Sequence, residues 1–308
     1  MDKVKDSNRG YSVPKRIFAA LTAAACAVAF FLWCPLYVLP AVLAVFSALA
    51  QLEFYKMAAI GGYPSSPRFG IMLGTVWIAA TAASPGFGGF FTCVSLGACV
   101  LPFAIFAFGA YLVMRSSRER PLSVLAVTTL GVFYVPFLLS FFLRTVQLDA
   151  GAQGFAPDSR VGLYTLFALI ASAKASDMGG VAFGLSFGRH KMCPSVSPKK
   201  SWEGFAGSVI GAVAVVLAFR FAAMRGEWAL DCPLWDHVTV PVAVAAGAAI
   251  AVCGTFGDLV ESRLKRDCGV KDSSVFLPAG MGGLLDMLDS LLFLPALLYP
   301  VLMATCNR

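Results

Sequence analysis

Hydrophobic positions in this chain fall into long, nearly unbroken runs, not the two-residue or 3.6-residue alternation of half-buried strands and surface helices. The runs cover approximately residues 17–34, 36–54, 69–86, 88–113, 122–143, 161–175, 206–223, 239–260 and 284–304. Most approach the roughly 20 residues that a helix needs to cross a bilayer. The pattern predicts an all-α, polytopic integral membrane protein with about nine transmembrane helices. Glycines and prolines in or beside the runs, such as Pro85, Pro102 and Pro136, do not argue against this, because neighbouring membrane helices satisfy the backbone groups that such residues free. The polar stretch from Lys174 to Phe205 reads as a loop between the sixth and seventh spans, and the stretch from Glu261 to Gly283 as a loop between the eighth and ninth.

Charge sets the orientation. With the N-terminus in the cytoplasm, nine spans place nearly all of the 24 Lys and Arg residues on the cytoplasmic side, leaving Arg144, Arg160, Arg220, Arg225 and Arg308 outside, as the positive-inside rule requires. The expected organisation is a cytoplasmic N-terminal segment over 1–16, N-terminal membrane helices over 17–160 and a C-terminal catalytic membrane region over 161–308. The run from Ile17 to Trp33 is long for a signal peptide and no cleavage site follows it, so it reads as a retained first span. At 58% hydrophobic and 13% charged, the chain lies far from the composition of soluble domains. Its net charge of +7 accordingly points to orientation and anionic lipid, not to nucleic acid. The nine cysteines form no CxxC pair, and the two histidines, His190 and His237, are far apart in sequence. A zinc hydrolase is therefore disfavoured.

Two polar regions carry candidate chemistry. In the second, Asp258 and Glu261 lie three residues apart at the end of the eighth run, and Asp286 and Asp289 lie three apart at the start of the ninth. Such spacing places each pair on one helix face. A carboxylate at the centre of a membrane helix costs about 2.5–3.5 kcal/mol on insertion scales, and two such groups one turn apart also repel. A hard divalent cation would relieve that repulsion, since it takes carboxylate, water and phosphate oxygens. Lys265, Arg266 and Lys271, with Asp272, occupy the intervening loop. In the first region, Asp177 directly follows the sixth run, and Ser197, Lys199, Lys200, Ser201, Trp202 and Glu203 form the entrance to the seventh. Lysines neutralise phosphate as point charges. Ser201 or Ser197 suits the cap of the following helix, and Glu203 suits its first turn. Trp202 alone reads as an interfacial anchor. Carboxylates from two helices facing basic loops specify phosphoryl or nucleotidyl transfer better than a hydrolase triad.

At these residues the sequence resembles the phosphatidate cytidylyltransferases, the CDP-diacylglycerol synthases of bacterial inner membranes. SDMGGVAFG followed by FGRHK is similar to that family's DTGAY and GKHK elements. SPKKSWEGFAGS resembles its SPKKTWEGxxGG motif, and GDLVESRLKRDCGVKDSS its GDLxES-x-x-KRxxxxKDSG motif. The family's LPGHGGxxDRxDS corresponds here to LPAGMGGLLDMLDS, which has one extra residue, no histidine at Gly280 or Met281, and Met287 in place of the arginine.

The resemblance implies a magnesium-dependent centre held by Asp258, Asp286 and Asp289, with room for a second cation. It implies that Lys199, Lys200, Lys265, Arg266 and Lys271 contact phosphates, and that Asp177 and Asp272 orient these cations or bind the second ion. Its substrates would be CTP and phosphatidic acid, its setting the bacterial inner membrane with the site facing the cytoplasm, and its assembly a homodimer. The alternatives are a transporter or channel using intramembrane aspartates, or an inactive or substrate-shifted relative. The DGxxAR element of CDP-alcohol phosphotransferases and the DDxxD motifs of prenyltransferases are absent.

Overall fold

The computed structural model describes residues 36–83, 106, 108–110, 120–147, 160–225, 235, 238–270, 273 and 283–306. Its principal helices are α1 (Leu39–Ile60), α2 (Pro67–Ala83), α3 (Pro121–Val146), α4 (Arg160–Phe187), α5 (Trp202–Met224), α6 (Val240–Asp267) and α7 (Leu284–Cys306). Six of them are long and apolar enough to cross a membrane. The 17 residues of α2 make a helix of about 26 Å, a little short of the roughly 30 Å hydrocarbon layer. The expected span over 17–34 lies outside the described residues, as does that over 88–113 apart from 106 and 108–110.

Two expectations about the loops are corrected. The stretch from Lys174 is not a loop at its start: α4 runs on to Phe187, so Asp177 lies within a helix. The connection that remains folds into an antiparallel hairpin of β1 (Lys191–Cys193) and β2 (Ser197–Ser201), pairing Lys191 with Ser201 and Cys193 with Ser197. The described residues are thus mostly helical, with one small two-stranded element among them. Likewise α6 continues to Asp267, which makes Lys265 and Arg266 its last turn instead of a loop. There the two cations favour the negative end of the helix dipole.

Glycine explains why α4 stays helical. A Cβ on Gly207 would stand 2.5 Å from the Gly179 carbonyl oxygen and 2.5 Å from Phe183 Cβ, and one on Gly211 would stand 2.5 Å from the Ala175 carbonyl oxygen. Ala175 and Gly179 on α4 meet Gly207 and Gly211 on α5 along a small-xxx-small seam. In a membrane such residues are packing surfaces, not helix breakers. A similar approach joins α6 to α7, where a Cβ on Gly257 would lie 2.8 Å from the Asp289 carbonyl oxygen.

The N-terminal helices interlock through buried polar side chains of α1. Gln51 Nε2 donates to the Gly70 carbonyl at 3.1 Å, and the Tyr55 hydroxyl to the Thr128 carbonyl at 3.0 Å. Gly131 of α3 makes room for the Tyr55 ring. Pro136 lies in a π turn, Phe133–Phe137, within α3; this wider turn accommodates the missing proline N–H. Just beyond the C-terminal end of α1, Tyr63 donates to Asp267 at 2.8 Å. That bond and the Asp267 charge raise the tyrosine pKa, while burial, followed by Asp267, pushes the Cys268 thiol up.

Candidate active site

The ends of four helices and the hairpin enclose a cavity of about 650 Å³, within the range of small-molecule sites. α4 contributes Lys174, Asp177, Gly180 and Gly184; the hairpin contributes Lys191, Lys199, Lys200 and Ser201; α6 contributes Asp258; and α7 contributes Asp286 and Asp289. Helix length leaves part of this frame outside the hydrocarbon layer. At 28 residues each, α4 and α6 are about 42 Å long and exceed the hydrocarbon layer by about 12 Å. Their acidic residues lie towards their C-terminal ends, where α5 and α7 begin.

The hairpin is fastened at both sides. Of the two candidate serines, Ser201 is the N-cap of α5, its hydroxyl accepting the Gly204 N–H at 3.1 Å. Glu203 accepts the backbone N–H groups of Arg189 and His190 at 3.2 Å and pairs with His190 Nδ1 at 2.6 Å. It holds the turn entering β1. Lys200 crosses to α6, with Nζ 2.7 Å from Asp258 Oδ2 and 2.9 Å from the Thr255 carbonyl. The Ser262 hydroxyl donates to Asp258 Oδ1 at 3.3 Å.

The second acidic group is tightly organised. Asp286 Oδ1 receives Lys265 Nζ at 2.6 Å, and Oδ2 receives the Gly283 and Ser273 N–H groups at 2.6 and 3.1 Å. Glu261 is fully buried (0% exposed). Its Oε1 lies 3.3 Å from Lys265 Nζ, and its carboxyl also stands against that of Asp286. Glu261 and Asp258 therefore do not act as one pair: Asp258 faces the cavity and Lys200, whereas Glu261 faces the half-buried Lys265 and Asp286. Asp289 lies within electrostatic reach of Asp258, Asp177 and Lys174, and its own carboxylate accepts the Ser290 N–H.

Ser197, Trp202, Glu203, Lys265 and Arg266 are not in the cavity wall. Lys265 reaches it through Asp286. Arg266 is exposed and donates to the Val270 carbonyl at 3.4 Å. Trp202 is 54% exposed and stands edge-on to Phe205. Lys271 and Asp272, and the turn with its missing histidine, lie outside the described residues; Met287, in the arginine's place, is exposed.

Lys174, which the sequence marks only as a basic residue of a cytoplasmic segment, lines the cavity. Its Nζ is 3.3 Å from Asp177 Oδ2 and 3.4 Å from Ser290 Oγ, and Ser290 Oγ donates to Asp177 at 3.1 Å. The available signal was an Asp three residues after a lysine, a spacing that puts both on one helix face.

Asp258, Asp286 and Asp289 share this cavity and offer the oxygen ligands that hard cations take. Among the described residues no group of three or more His, Cys, Asp or Glu side chains is placed to hold a metal ion by itself. Magnesium needs no such group, since it is commonly bound by one or two carboxylates and completed by water and substrate phosphate.

Fold and cavity define a multi-pass membrane protein with a carboxylate- and lysine-lined site. The chain belongs to the cytidylyltransferase family, whose family model matches residues 14–305. It is 32% identical over 271 residues to a phosphatidate cytidylyltransferase of Mycobacterium bovis, covering 82% of this chain and 76% of the relative. A Chlamydia trachomatis protein of the same name is 31% identical over 271 residues, covering 85% and 83%. One from Thermotoga maritima is 32% identical over 190 residues, covering 62% and 63%.

Proposed function

We propose that the protein is a CTP:phosphatidate cytidylyltransferase that makes CDP-diacylglycerol and pyrophosphate in a bacterial inner membrane, with its cavity facing the cytoplasm. The observation that carries this reading is the junction of four lysines with four aspartates in one cavity, at the boundary of membrane helices, in a cytidylyltransferase-family chain. Phosphatidate stays in the bilayer by its acyl chains and presents its phosphate at that boundary. One phosphate oxygen forms a bond to the α-phosphorus of CTP; the bond from that phosphorus to the β-bridging oxygen breaks, and its electron pair leaves with pyrophosphate. The work asked of the protein is alignment and charge stabilisation. Lys174, Lys191, Lys199 and Lys200 hold the two anionic substrates together against their mutual repulsion. Asp258, Asp286 and Asp289 are the residues to hold magnesium, which neutralises phosphate charge when bound. Asp177 orients Lys174, and Lys265 orients Asp286. A transporter or channel is not favoured, because family membership and the lysine-lined cavity both point to nucleotide chemistry. A homodimer, as the resemblance implies, is part of the proposal.

The deciding experiment incubates purified protein with labelled CTP and phosphatidate micelles. Label entering the lipid fraction only with phosphatidate, lost with chelator and not competed by dATP, is the expected result. No transfer by folded protein would overturn the assignment.

Lys200→Ala should lower kcat/KM for CTP by about 10- to 100-fold, the loss of a hydrogen bond to a charged group. It also frees the hairpin from Asp258. Unchanged steady-state kinetics would reduce Lys200 to an orientation signal.

A further inference from the structure

α7 begins without the side chain that ordinarily caps a helix. Gly283 precedes its first residue, at the position where Ser, Thr, Asp or Asn usually accepts an N–H from the first turn. Any Cβ there would meet Ser273 Oγ and lie 2.7 Å from Glu53 Oε2. Half of a capping box is nevertheless present, because Asp286, at the third helical position, reaches back to the Gly283 N–H at 2.6 Å. The other half comes from 232 residues away: Glu53 Oε2 of α1 accepts the Leu285 N–H at 2.9 Å.

Glu53 is fully buried (0% exposed) within a membrane span, and Oε1 has no hydrogen-bond partner among the described residues. Ionisable groups in such places are costly and need compensation; the positive end of the α7 dipole supplies part of it. The opposite side of α1 is fixed by Gln51 to Gly70 and by Tyr55 to Thr128. α1 is therefore anchored in the N-terminal helices on one side and grips the first turn of α7 on the other.

We infer that Glu53 is a positioning residue that holds the first turn of α7, through the Leu285 N–H, so that Asp286 and Asp289 face the cavity. Its effect on turnover rests on the proposed transfer reaction; its effect on the helix does not. Acceptor reach, not charge, is the essential property.

The test compares Glu53→Gln with Glu53→Asp in the full chain. Glutamine keeps an acceptor oxygen at the same reach, whereas aspartate keeps the charge but withdraws it by about 1.5 Å. Hydrogen–deuterium exchange should rise over residues 284–290 in the aspartate variant alone, leaving the other helices as in wild type. In the CMP-transfer assay kcat should fall about tenfold or more for Glu53→Asp, with KM for CTP little changed, and Glu53→Gln should retain near-normal kcat. The reverse order, active aspartate and inactive glutamine, would overturn the inference, as would unchanged local exchange in Glu53→Asp or an equal rise across all helices. If wild type transfers no CMP, the functional assignment fails and the exchange data alone decide the placement of Glu53.

Discussion

Asp286→Asn is expected to remove turnover, by about 10²-fold or more, while leaving a correctly inserted protein. The carboxylate accepts from Lys265 on one oxygen and from Gly283 and Ser273 on the other. Asparagine has only one acceptor oxygen, so its amide donors must face either an ammonium or two backbone N–H groups. Lys265 would be left with the Glu261 contact alone, and breaking a half-buried pair in this way is unfavourable. A hard oxygen ligand for the proposed magnesium is lost as well. The apolar spans are untouched, so detergent-extracted variant should elute as wild type does. CMP transfer within about threefold of wild type would remove Asp286 from the proposed centre.

Gly207→Leu should act in the opposite manner, through the frame and not the chemistry. The glycine seam leaves no space for a side chain between α4 and α5, and overpacking typically costs about 1–3 kcal/mol, occasionally more. Here the clash is with the backbone and Phe183 Cβ, which cannot rotate away. Separating the helices also separates Lys174 and Asp177 from the hairpin lysines. Expected are a lower melting temperature and a loss of transfer beyond about tenfold. Ala206→Leu, on the exposed side of the same turn, is the control and should change neither. Equal melting temperatures for the two variants would refute the seam as a packing constraint.

The parts of the site legible in sequence were those where chemistry follows from local spacing. Asp286 and Asp289 share the cavity wall, and Ser201, one of two candidate serines, caps α5, both foreshadowed by spacing within a few positions; the pairing of Lys200 with Asp258 was not. Where the reading stopped, the cause was tertiary. Gly179 and Gly180 read as the start of a loop because no partner helix is visible in a sequence; the partner is Gly207 and Ser208, and it keeps α4 helical to Phe187. Glu261 looks like the companion of Asp258, yet burial turns it towards Lys265. Glu53 sits in an apolar run where the cost of an intramembrane acid was itself a signal, but its partner lies 232 residues away. The hairpin was hidden because three- and five-residue strands are too short to show alternation.

The π turn at Phe133–Phe137 has a consequence for how this chain tolerates changes in length. Removing one residue from an ordinary α-helix rotates everything beyond it by about 100°, which would swing the buried Leu138–Val146 face away from its neighbours. A π turn already holds one residue more than an α turn. Losing a residue there would tighten it to regular helix while keeping both flanks in register, so this is the place in α3 where a single-codon deletion is least disruptive.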